Sequence, residues 1–455
     1  MDIKAHGDLA QAGLAAARRW AGRNASGDAY LEEIMAVTWR RAAGRDAPLQ
    51  AYHDRGAAIR VWAGDEMHLA SADGPTGPAV VACLRQMELP AVRGVSAIGV
   101  QDGLAAERDL PRVRAAGDEA DFLARLEVWL RREMGQMTWD ISLEDRARVT
   151  LVADDQSRLA GESHRWLRLR ISGRGEGGFA GWSGGAGDLD SLSRAWPAAR
   201  LAGLLRRRWL GSRVPPGDHP RCTSDTPVVF APGNGAILLH ELIHGLEADQ
   251  QARGWSFWPP GEGGELSPLL TLWDDPTRPG LRGSFHCDDE GRPARRRLLV
   301  RQGRIVGSLG DRRHAGGVAG AEDGHGRRSS RHHAPRPRSA NLYMAAGDMP
   351  TSAMSVVPRP VLLVHDLETG ATDPRSGHVC LRVSDGEWFK DGQPLGPVSG
   401  LSLQGWLPDV LARVDRVADE RAADSGAATC GRDGEGVPIG FMTPAFRTYG
   451  LMESA

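Results

Sequence analysis

The sequence predicts an α+β protein in which N-terminal α/β domains precede a β-rich C-terminal domain carrying a metal-binding helix. Three observations predict it. Helical and strand periodicities alternate through the first half of the chain. Short β-type runs punctuated by glycine and proline fill the second. Between them, His240-Glu241-Leu242-Ile243-His244 lies in an apolar stretch of helical spacing. With 455 residues the chain exceeds one ordinary core, and composition divides it into an N-terminal α/β unit at 1–112, a middle α/β unit at 113–222 and a β-rich unit at 223–455.

In order along the chain, Leu9 to Trp39 has helical amphipathicity, and strand patterns flank Gly64-Asp65 as a hairpin. Pro75 to Met87 reads as a helix, as does the charged segment Asp118 to Gln136. Ala147 to Ala153 and Trp166 to Ser172 alternate as strands, Leu189 to Leu210 is helical, and Pro215-Pro216-Gly217 with Pro220 makes a linker. Pro227 to Gly235 then reads as a short strand and a glycine turn leading into the helix of Ala236 to Glu247. Beyond it, Arg297, Arg304, Val361 and His378 each open a short β-type run, and Asp311 to Arg338 is a long Gly/Arg/His/Pro loop, mobile unless something holds it.

Composition excludes several classes. A 41% apolar and 25% charged chain is an ordinary folded protein. A formal net charge of −2 supplies no global field toward nucleic acid or an anionic membrane. No apolar run approaches the ~20 residues of a bilayer span, and the N-terminus lacks a basic segment followed by an apolar one. Cys83, Cys222, Cys287, Cys380 and Cys430 are too few and too irregular for a disulfide framework. A soluble, cytoplasmic enzyme is the expectation.

On a helix, positions i and i+4 share a face, so His240 and His244 can address one metal ion while Glu241 serves as a base. A catalytic zinc needs three protein ligands and an open position, so a third ligand has to come from elsewhere. Glu247, one turn beyond His244, competes as an oxygen ligand or orients a histidine by accepting its free N–H. His286 and Cys287 alternate on a strand and are structural. Asp288-Asp289-Glu290-Gly291 lacks the ligand array of a calcium loop and reads as a tight turn. Arg327, Arg328, Arg331, Arg336 and Arg338 have no interleaved aromatics, which opposes nucleic-acid binding; Arg327 and Arg328 are candidates for substrate carboxylates or carbonyls, the others for structural pairing.

Several segments together resemble the TldD/PmbA metallopeptidase family, in its metal-bearing TldD-like form. Ala231-Pro-Gly-Asn-Gly to His240-Glu-Leu-Ile-His-Gly-Leu-Glu-Ala-Asp resembles its metal-binding helix, and Gly283 to Gly291 its DDEG turn. Gly326-Arg-Arg to Asn341-Leu-Tyr is similar to its arginine-rich segment, and Cys430-Gly-Arg-Asp-Gly-Glu to its C-terminal cysteine motif, with a weaker echo near Gly56 to Ser71. The resemblance implies a Zn2+ peptidase with His240, His244 and Cys430 on the metal and Glu241 catalytic. Where the family has HExxxH, this chain has HExxH, which still places both histidines on one helix face. The implied function is hydrolysis of unfolded or modified peptides, as in peptide maturation or natural-product processing. Alternatives are an amide hydrolase releasing a small product from a carrier or leader peptide, and a non-catalytic subunit. The implied partners are a peptide substrate and a motif-less TldE/PmbA-like paralogue in a heterodimer, or a second copy in a homodimer.

Overall fold

The computed structural model describes residues 3–22, 25–87, 117–135, 137–215, 217–258 and 265–454, with residues 3–4 described in backbone only. The architecture is α+β, built on two sheets. The first has seven strands and runs, edge to edge, Glu66–Asp73, Gln50–Ala63, Ser26–Ala42, Thr138–Asp154, Leu159–Gly175 and Gly178–Ala186, with a short Arg45–Asp46 strand beside the third. All of these pairings are antiparallel. The expected boundary at 112/113 lies outside the described residues, and strands from both segments join this one sheet.

Period-two alternation gives the sheet two unlike faces. On one, Leu31, Ile59 and Leu151 pack under the helices Ile3–Ala21 and Thr76–Gln86, while Trp39, Leu143 and Leu169 pack under Asp118–Met134 and Ala198–Gly211. The other face carries Asp28, Glu32, Arg60 and Arg148, a pattern that in sequence looks solvent-facing. It is buried against the C-terminal half. Arg60 bonds Asp28 and, at 2.6 Å, Glu290; Arg148 reaches Glu32 at 2.8 Å; Arg328 reaches Asp28 at 3.2 Å; and Arg331 bonds Asp54 and Asp73 at 2.6 Å each. Buried ion pairs add little net stability, but any misdocking leaves charges unpaired, so they fix how the two halves meet.

The second sheet has twelve strands. Its centre holds Leu272–Asp274, Asn341–Met344, Gly440–Thr448, Val228–Phe230, Val361–Thr372 and His378–Lys390, and its apolar face forms the largest core. No helix among the described residues is long and apolar enough to cross a membrane.

Two expectations are corrected, and one left conditional is resolved. Helix covers only Ile3–Ala21 of the stretch reaching Trp39; Ser26–Ala42 is the strand that pairs on both sides at the sheet centre, where burial on both faces removes clean alternation. The segment from Leu189 is two helices, Leu189–Ala195 and Ala198–Gly211, broken at Trp196-Pro197 because proline lacks an N–H to continue the ladder. The arginine-rich loop is held, with Arg327, Arg328, Arg331 and Arg338 all buried in contacts made by the folded halves.

Candidate metal centre

Val228–Phe230 is a buried central strand, and the chain leaves it through Gly233, whose φ of +78° suits a residue without a Cβ. The Gly233 N–H donates to the Thr443 carbonyl and hydroxyl, both at 3.2 Å, and Asn234 Oδ1 accepts from the Ser425 N–H at 2.9 Å. A short 3-10 turn, Asn234–Ala236, then feeds the α-helix Ile237–His244. Leu238, Leu239, Leu242 and Ile243 sink into the core, which fixes the rotation of the helix and directs both histidines to one side. The helix ends at Gly245, so Glu247 is not on it as expected but opens the next helix, Ala248–Ala252.

Cys430 arrives from the far end of the chain on a two-stranded hairpin, Thr429–Arg432 with Glu435–Pro438. Asp433 and Gly434 both have positive φ, +52° and +80°, the backbone of the two-residue Asp-Gly hairpin turn. The hairpin is pinned from two sides. Arg432 donates to Glu247 at 2.7 Å and to Asp249 at 3.0 Å, and Arg282 donates to the Ala428 carbonyl and, at 2.9 Å, to the Thr429 hydroxyl.

Among the described residues, one group of His, Cys, Asp and Glu side chains has the convergence a metal ion needs. The ligand atoms of His240, His244 and Cys430 all lie within 4.8 Å of one another. His244 presents Nε2 to Cys430 Sγ at 3.8 Å and turns Nδ1 toward Glu247 Oε1 at 3.4 Å. His240 is buried, yet neither of its ring nitrogens has a hydrogen-bond partner. An orphaned buried imidazole is costly unless something occupies it, and two imidazoles with a thiolate form a donor set suited to zinc. The residues therefore fit a metal.

Electrostatics supports the same assembly. Burial pushes the Cys430 thiol up, but the charges of His244 and His240 outweigh it and hold the group well below its ordinary value. His244 is disfavoured as a cation by burial and lifted well above its ordinary value by Cys430 and Glu247. Arg338, buried, donates to the Cys430 carbonyl at 2.7 Å and lies 3.1 Å from its sulfur. Glu241 is raised chiefly by burial, with His244 and His240 opposing.

Of the other expected site residues, Arg327 donates to the Ser339 carbonyl at 2.5 Å and stacks over Phe285, whereas Arg328 lies over Tyr30 and bonds Asp28 and the Asp289 carbonyl. Both line a cavity behind the Cys430 hairpin. Asp288 caps the tight turn expected there, accepting from the N–H groups of Glu290 and Arg292 at 3.0 and 2.9 Å. Cys287 forms only an isolated bridge with Pro293, not a regular strand, and His286 is exposed beside Glu162.

Sequence reading missed Arg432 and Gly370, and gave Arg338 only a general structural role. Arg432 had a signal in following Cys430-Gly431 directly. Gly370 had none, being a glycine within the strand Val361–Thr372. A Cβ there would stand 2.9 Å from Glu241 Oε1 and 2.6 Å from Ile237 Cγ2, so the bare backbone makes room for the Glu241 carboxylate. Gly370→Ala is expected to leave metal content unchanged while displacing Glu241, lowering kcat by about 10²-fold with little change in KM. Unchanged turnover would show that the Glu241 position is not set by this strand.

Comparisons with known proteins follow the same lines. Residues 223–451 match the model of the PmbA/TldA metallopeptidase C-terminal domain. A metalloprotease TldD homolog of Haemophilus influenzae is 34% identical over 224 residues, 49% of this chain and 46% of that protein. A metalloprotease of Methanothermobacter thermautotrophicus is 28% identical over 274 residues, 59% of this chain and 58% of that protein. The chain thus spans about half the length of the curated relatives it matches. In fold it is similar to TldE from Thermococcus kodakarensis, with a TM-score of 0.72 at 16% identity over 99% of this chain and 100% of that one. It is also similar to a putative modulator of a DNA gyrase from Thermotoga maritima, with a TM-score of 0.71 at 14% identity over 98% and 99%.

Proposed function

Since this chain belongs to the TldD/PmbA metallopeptidase family, we propose that it is a zinc peptidase acting on unfolded or modified peptides, with His240, His244 and Cys430 as metal ligands and Glu241 as general acid and base. The observation that carries the reading is the convergence of three ligand atoms within 4.8 Å beside a buried glutamate on the same helix. A zinc ion held there supplies a Lewis acid for water and for the scissile carbonyl.

The protein's own groups do the rest. Glu241 takes a proton onto its carboxylate from the attacking water and returns it to the departing amine nitrogen, a task that its burial and raised proton affinity favour. Glu247 Oε1 stands 3.4 Å from His244 Nδ1, where its charge orients the ring with Nε2 turned toward Cys430, and it is itself held by Arg432. Arg338 steadies the thiolate through its carbonyl and sulfur.

Peptide maturation is the role we assign, with a motif-less TldE-like chain, or a second copy of this chain, as the partner. Purified protein is expected to hold about one zinc per chain, because one ligand set of this type converges among the described residues. Elemental analysis checks it. Absence of zinc from the wild type, or unchanged zinc in a His240→Ala, His244→Ala double variant, would overturn the reading. Size-exclusion chromatography and peptide cleavage, alone and with the motif-less paralogue, test the partnership.

A further inference from the structure

Behind the Cys430 hairpin lies a cavity of about 360 Å³, within the size range of ligand sites. One wall is the inner face of the strands Thr138–Asp154 and Leu159–Gly175; the opposite wall includes Thr429, Gly436 and Pro438. In the hairpin register Thr429 faces Pro438, and Cys430 faces Val437. Alternation therefore turns Cys430 to one side and the cavity-lining residues to the other. The hairpin is the partition between the candidate metal centre and the cavity.

Three of the arginines that line the cavity make no direct ion pair among the described residues. Arg168 bonds only the Ser183 hydroxyl, at 3.1 Å. Arg282 bonds the Ala427 and Ala428 carbonyls and the Thr429 hydroxyl, and Arg327 the Ser339 carbonyl. Every one of these partners is uncharged, and among the described residues no carboxylate stands within ion-pair distance of the three. Arg328, fully buried in the same lining, has no hydrogen-bond partner for Nε or Nη1.

The carboxylates of the lining lie beyond ion-pair distance of Arg168, Arg282 and Arg327 and have other partners: Glu144 is loosely paired with Arg146 and Arg170, at 3.8 and 3.9 Å. Glu162 accepts from the His286 and Cys287 N–H groups, Asp288 from Glu290, Arg292 and Gly326, and Asp289 from Arg328. Among these groups the neighbouring positive charge registers at His164. Burial lowers His164 to about 4, helped by Arg282, Arg327 and Arg148, and lowers Arg282 and Arg327 to about 10 each. A second cavity, of about 780 Å³, shares Glu162, His164, Trp166, Arg282, Ser284 and Phe285 with the first and adds Trp196, Pro276 and Pro279. The result is one groove with a cationic end and an apolar, aromatic end.

We propose that this groove binds an acidic peptide segment, with a carboxylate seated among Arg168, Arg282 and Arg327 and the adjoining residues along the aromatic end. Guanidinium forks match a carboxylate in two-pronged geometry, and a partly desolvated site strengthens each charge-assisted bond. This substrate class rests on the peptidase reading, so its test is binding and not turnover.

The probes are a fluorescein-labelled, unstructured peptide with adjacent glutamates and its glutamine counterpart, titrated by fluorescence anisotropy into the full chain carrying Glu241→Gln. The glutamate peptide is expected to bind about tenfold more tightly or better, the equivalent of one charge-assisted hydrogen bond. Adding Arg168→Gln should erase that preference while leaving the glutamine peptide unmoved, which excludes a misfolded variant; Arg168→Lys should keep part of it. Equal binding of the two peptides overturns the proposal. So does Arg168-dependent binding of inorganic phosphate without any preference between the peptides, which would make the cavity a free-oxyanion site. Incubated with the wild-type, zinc-loaded chain, both peptides cleaved without acid preference would leave the peptidase reading standing and overturn the acidic-peptide site; acid-selective binding to the variant with neither peptide cleaved by the wild type would do the reverse.

Discussion

Cys430→Ser is expected to abolish zinc retention and peptidase activity together. The sulfur is buried, lies 3.8 Å from His244 Nε2, and has its proton affinity held well below the ordinary thiol value by the two histidines against the cost of burial. A serine hydroxyl at the same place stays neutral and is a poor zinc ligand, so two imidazoles would be left to hold the ion alone. The loss of affinity should exceed the ~10–100-fold that follows removal of an outer hydrogen-bond partner. The hairpin itself should survive, because the Asp433-Gly434 turn and the clamps from Arg432 and Arg282 do not use the sulfur. Metal content by elemental analysis, measured beside cleavage of an unfolded peptide, checks both losses. Alanine at Cys83, Cys222, Cys287 or Cys380 should leave zinc in place; loss of zinc from one of those variants, with Cys430→Ser still loaded, would move the third ligand elsewhere.

Glu241→Gln is expected to keep the metal and lose about 10²–10⁴-fold in turnover, the usual contribution of a positioned acid/base group. Glutamine has the shape of the protonated acid that burial favours at this position, so it should fit beside Gly370 without cost to the fold. It cannot accept a proton from water. The decisive comparison is kcat per bound metal in variant and wild type. Turnover retained with the metal bound would assign proton transfer to another group.

These two variants also separate what was readable in the chain from what was not. His240, Glu241 and His244 were legible because a helix enforces their neighbourhood locally: five consecutive residues fix the spacing whatever surrounds them. The tight turn at Asp288 and the hairpin at Gly64 were legible for the same reason, since each is decided by residues adjacent in sequence. The strand Ser26–Ala42 was not, because its partners Gln50–Ala63 and Thr138–Asp154 cover both its edges and its burial pattern loses alternation. Gly370 was invisible because its role is an empty volume, and an empty volume is defined only by what stands across it.

By itself, then, the sequence determined an α+β chain with a two-histidine, one-glutamate helix and a glycine-rich cysteine motif, Cys430-Gly-Arg-Asp-Gly-Glu, near the other end, since each is a short-range pattern with a short-range cause. The tertiary structure alone decided that Cys430 meets His244 across 186 positions of chain, that Arg338 and Arg432 hold them there, and that the charged face of the first sheet is an interior surface. An alternating strand reads the same whether its polar side meets water or a partner carrying opposite charges. Only the docking of Glu290, Arg328 and Arg331 onto that face distinguishes the two, and docking is a property of surfaces brought together by folding, which no local spacing encodes.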